Sequence, residues 1–78
     1  MRLAEATAIR IYAVLQQKNL TPHDFGKYCQ FSEKKLNSIL NGQFRDLSVR
    51  DLHRICSALD ISYDAFFNDS IFQSEIVD

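Results

Sequence analysis

The chain predicts an all-α fold of five short helices in one compact domain. Apolar residues recur three and four positions apart in each segment, and helix caps punctuate the intervals. No stretch alternates with the period of two that a half-buried strand needs. With 78 residues and a hydrophobic share of 46%, most of the apolar surface must enter a single core.

Helix one is predicted from about Ala4 to Gln17, with Ala8, Ile11, Val14 and Leu15 as its buried stripe and Arg10, Gln16 and Gln17 outside. Asn19 stops it in the left-handed conformation and Leu20 closes the corner. Thr21 caps helix two, and Pro22 takes its first position, where a missing N–H costs nothing. Phe25 and Cys29 form the apolar face of this helix, and Asp24 suits its positive end. Ser32 caps helix three, where Leu36, Ile39 and Leu40 share a face before Asn41-Gly42 ends it. Ser48 and Asp51 form a capping-box-like pair for helix four, whose Leu52, Ile55, Cys56 and Leu59 recur at helical spacing. Asp60-Ile61 turns the chain, Ser62 caps helix five, and Phe66 and Phe67 seal the core. The reading divides the chain into a domain, residues 1–68, and a C-terminal tail, residues 69–78. Docking on the body, dimer formation and fraying are all open to the Ile71, Phe72, Ile76 and Val77 side chains of that tail.

Composition excludes several classes of function. No apolar run reaches the ~20 residues of a membrane span, and the first ten residues lack the charged-then-apolar order of a signal peptide, so a cytoplasmic protein is expected. Cys29 and Cys56 fall on buried helix faces with no CxxC pair or clustered histidine, as core thiols would. His23 and His53 lack an acid or nucleophile partner in any recognisable motif. There is no glycine-rich phosphate loop or nucleophile–base pair, so neither an enzyme nor a cofactor is expected. The net charge of −1 hides an uneven distribution: +1 over residues 1–17, +3 over 18–54 and −5 over 55–78. A basic centre and an acidic end suit a protein with separate nucleic-acid and non-nucleic-acid surfaces.

The segment TPHDFGKYCQFSEKKLNSILNG, residues 21–42, holds two helices too short to bury their faces alone, joined so tightly that they must cross steeply. The crossing demands a small residue, and Gly26 is there despite a helix-propensity cost of about 1 kcal/mol. The positions of Phe25, Gly26, Cys29, Phe31, Leu36 and Ile39 resemble the helix-turn-helix of bacterial and phage repressors. AIRIYAVLQQKNLT and LSVRDLHRICSALDISYDAFF extend the resemblance to the remaining helices of the Cro/cI-type repressor domain, the XRE family, over roughly residues 6–68. The resemblance implies a lambda-repressor-like DNA-binding domain whose helix-turn-helix is formed by helices two and three.

On helix three, Glu33, Lys34, Asn37, Ser38 and Asn41 face away from the apolar side, with Lys35 at the margin. By resemblance, Glu33, Lys34 and Ser38 fall where relatives read bases, with Asn37 beside them, and Asn41 and Arg45 fall where relatives hold phosphates. The chemistry agrees: lysine donates to guanine O6 and N7, and glutamate accepts from cytosine N4. Lys27, Lys35 and Arg45 would position the protein electrostatically, and the helix ends near Thr21 and Ser32 offer backbone N–H groups to phosphate. Three positions depart from the family pattern: Pro22 replaces a phosphate-binding glutamine, Gln30 a turn glycine, and Leu15 with Leu40 an interhelical Arg–Glu pair. The first removes a backbone anchor and implies modest DNA affinity. The expected protein is a homodimeric regulator, a repressor, of double-stranded DNA. The alternative is a protein-interaction module on the same fold, such as an antitoxin or regulatory subunit, docking through its C-terminal end.

Overall fold

A computed structural model describes residues 1–73, which form six helices: α1 (Leu3–Gln17), α2 (Pro22–Cys29), α3 (Glu33–Leu40), α4 (Val49–Leu59), α5 (Tyr63–Phe67) and the single turn α6 (Ser70–Gln73). No strand occurs among the described residues. The caps act as the sequence requires. Thr21, Ser32, Ser48 and Ser62 each accept, through the side-chain oxygen, the N–H three residues on, satisfying a donor that has no partner within its helix.

One device ends α1, α3 and α4. Asn19 (φ 55°), Gly42 (φ 67°) and Asp60 (φ 52°) adopt the left-handed conformation. The following residues, Leu20, Gln43 and Ile61, donate their N–H groups back to the carbonyls of Leu15, Ser38 and Cys56 at 2.9–3.0 Å. This is the Schellman pattern, and at Leu20 and Ile61 the closing residue also packs against the core. The Lys18 ammonium donates to the Asp60 carbonyl at 2.6 Å and joins two of these corners.

Ile11, Val14 and Leu15 of α1, Phe25 and Cys29 of α2, Ile39 of α3, Ile55, Cys56 and Leu59 of α4 and Phe66 of α5 form one buried cluster. Leu36 and Leu40 pack against it half-buried, as do Phe31 and Phe67. Both thiols lie in this cluster, and burial raises the pKa of each; that of Cys29 donates to the Phe25 carbonyl.

Arg10 is the principal correction to the sequence reading. Helical phase places it outside, yet only 7% of it is exposed. Its guanidinium donates to the carbonyls of Phe66 (2.8 Å) and Ala65 (2.9 Å), lies 3.4 Å from the Asp69 carboxylate and stacks over the Phe66 ring. The cause is the chain end that folds back here: α6 packs on α1, and the last carbonyls of α5, which need donors, lie beside Arg10. Beyond it, Asp69 accepts from the Ile71 N–H, and Phe72 packs on Phe67 and Phe66 with ring centroids 5.0 and 5.9 Å away. Of the four apolar side chains noted after residue 69, Phe72 therefore packs on the body and Ile71 is half-buried; Ile76 and Val77 lie outside the described residues.

Candidate nucleic-acid interface

At the α2–α3 crossing Gly26 faces the end of the Leu36 side chain. A Cβ on Gly26 would lie 2.7 Å from Cδ2 of Leu36, so only glycine lets α3 seat this closely without displacing that side chain. Gln30 carries the turn at φ 60°, ψ 29°, the left-handed conformation expected where a glycine is usual. Phe25, Cys29 and Ile39 are buried beneath the crossing. Residues three or four apart share a face, so Leu36 faces inward with Ile39, and Glu33, Lys34 and Asn37, off that phase, are turned outward.

Glu33, Lys34 and Asn37 are exposed on that outward side, and Ser38 is half-buried. Pro22 and Lys27 of α2 border the same shallow groove as Glu33 and Asn37, over Gly26 and Leu36. The fold thus brings Lys27 beside two predicted base-reading positions. It does not bring Asn41 or Arg45 there. Asn41, at the far end of α3, lines a depression with Ile9 and Tyr12 of α1. Arg45, in the α3–α4 loop, flanks a partly enclosed groove of about 460 Å³ with Arg2, Leu3, Phe44 and Phe67.

The helix ends are partly engaged already. Thr21 donates its N–H to Asp24 and accepts the Asp24 N–H in return; the first of these bonds is the main reason the Asp24 carboxyl is held below the usual aspartate range. Ser32 accepts from the Lys35 N–H. The Lys35 ammonium lies 2.9 Å from Asp51 Oδ2 in α4 and 5.3 Å from the centroid of the Phe31 ring. That lysine is the chief cause of the lowered Asp51 pKa. The sequence shows the Ser48–Asp51 cap but not this second partner, since nothing in local spacing joins positions 35 and 51. Arg50, one of the cations of the basic centre, is exposed in the first turn of α4 next to Asp51 in sequence.

Among known protein families, the helix-turn-helix domain matches residues 1–64. The chain belongs to that family, and the match supports DNA as its partner. No curated protein and no solved structure matches the chain. Among the described residues no helix is long and apolar enough to cross a membrane.

Proposed function

We propose that this protein is a sequence-specific regulator of transcription of the Cro/cI type, binding double-stranded DNA with α3 in the major groove. The observation that carries the reading is the close-packed α2–α3 crossing at Gly26, which turns an exposed polar face of α3 outward inside a helix-turn-helix family domain. Glu33, Lys34, Asn37 and Ser38 are the base-reading side chains. Thr21, Lys27, Ser32, Asn41 and Arg45 hold the DNA backbone; Lys35, expected among them from the sequence, is already bound by Asp51. One short helix reaches few bases, so useful selectivity calls for a homodimer on an inverted repeat. Such a protein acts in the cytoplasm, on the nucleoid, and as a repressor when its site overlaps a promoter.

Selection from a random duplex pool is the test. An enriched motif is expected, with affinity that falls steeply as salt is added, because neutralised phosphates release counterions. A pool that returns no motif sinks the proposal. The interaction-module reading then takes its place, supported by the exposed Asp60, Tyr63 and Asp64 on the acidic end of the molecule.

A further inference from the structure

We infer that Asp51 is an intramolecular stand-in for a DNA phosphate, holding the Lys35 ammonium so that Lys35 makes no phosphate contact when the protein binds a duplex. The inference rests on the DNA-binding reading above.

Three features carry it. The ion pair joins the first turn of α3 to the first turn of α4 at 2.9 Å, so a residue of the proposed reading helix is tethered to a neighbouring element. The same Asp51 oxygen accepts the Ser48 N–H at 3.2 Å, which fixes the carboxylate as part of the α4 cap. The Asp51 side chain is only 13% exposed, against 44% for Lys35, so the anion is shielded from salt more than an ordinary surface partner. Lys34, one position earlier, has no side-chain partner among the described residues and stays available. A phosphate would have to displace a carboxylate that the fold has already placed and partly dried. One positive charge on the face that meets DNA is therefore neutralised from within, and α3 is linked to α4 before any duplex arrives.

The test compares the unmodified protein with Lys35→Ala, Asp51→Asn and the double variant, each binding the selected duplex over a range of salt. Asparagine still offers an oxygen to the Ser48 N–H, so the α4 cap persists, and thermal unfolding of Asp51→Asn verifies this. Lys35→Ala alone should leave the salt slope unchanged. Asp51→Asn should raise affinity severalfold and steepen the slope by about one phosphate's worth. The double variant should return to the starting slope. A Lys35→Ala protein that already loses about one unit of slope overturns the inference. So does an Asp51→Asn protein that gains as much without Lys35 as with it. The ion pair is read without DNA by carboxyl NMR, in which Lys35→Ala should move the Asp51 titration up toward the ordinary aspartate value; no movement also overturns the inference. Failure of all four proteins to bind any duplex would remove the DNA reading and this inference together, whereas intact binding with unaltered slopes removes the inference alone.

Discussion

At the scale of single residues, base-reading and phosphate-holding side chains should separate by how their loss is felt. Lys34→Ala and Ser38→Ala are expected to relax sequence preference, each costing about 1–3 kcal/mol on the preferred duplex and much less on others. Lys27→Ala and Arg45→Ala should weaken binding evenly across sequences and flatten its salt dependence, as titrations on matched and scrambled duplexes will show. Arg10 invites a different prediction, about stability. Its guanidinium is the donor for two carbonyls of α5 and the partner of Asp69. Arg10→Met should cost roughly 2–4 kcal/mol in chemical denaturation, because it leaves those acceptors without a donor. Arg10→Lys should recover only part, since an ammonium cannot reproduce the planar fork.

At the scale of elements, the caps and stops were legible because they depend on neighbours. A serine or threonine before an apolar-periodic run, and a residue tolerant of positive φ after it, act within four or five positions, and each found its predicted place. Two of these stops yield predictions of opposite sign. Gly42→Ala should destabilise by about 1–2 kcal/mol, for the new methyl would meet left-handed backbone and lie 3.2 Å from Cα of Glu5 in α1. Gln30→Gly should stabilise by about 0.5–1 kcal/mol, the relief of left-handed strain exceeding the added entropy of the unfolded chain. Thermal unfolding of both variants checks the pair. The polar outer face of α3 was equally legible, since helical phase alone sorts Glu33, Lys34 and Asn37 from Ile39. Phase failed at Arg10 because it assumes that the side of α1 away from the main stripe meets water, and there the end of α5, Asp69 and α6 close over it.

At the scale of the whole molecule, stability should depend on pH from both ends. The Thr21 N–H and hydroxyl lower the Asp24 pKa, and Lys35 with Ser48 lowers that of Asp51. Folded carboxylates with depressed pKa values bind protons less readily than unfolded ones. Their stabilisation is therefore complete above the ordinary aspartate value of about 3.9 and is lost as pH falls through the folded values. Burial raises the Cys29 and Cys56 thiols, whose stabilisation is complete below the ordinary thiol value of about 8.5 and is lost as pH rises beyond it. Denaturation midpoints should form a plateau through neutral pH and fall on either side. In Asp51→Asn the acid limb should be shallower.

The amino-acid sequence by itself determined the all-helical class, the limits of α1–α5, the tight turn at Gln30 and the polar face of α3, since all of these follow from periodicity and caps within a few residues, whereas the turn α6 in the expected tail was not legible. Only the tertiary structure decided that Arg10 serves α5, that Phe72 joins Phe66 and Phe67, and that Lys35 is bound to Asp51. Those pairings link positions 16 to 56 apart along the chain for the two charged groups, and a charge is drawn inward or held aside only when folding delivers a partner that local pattern does not encode.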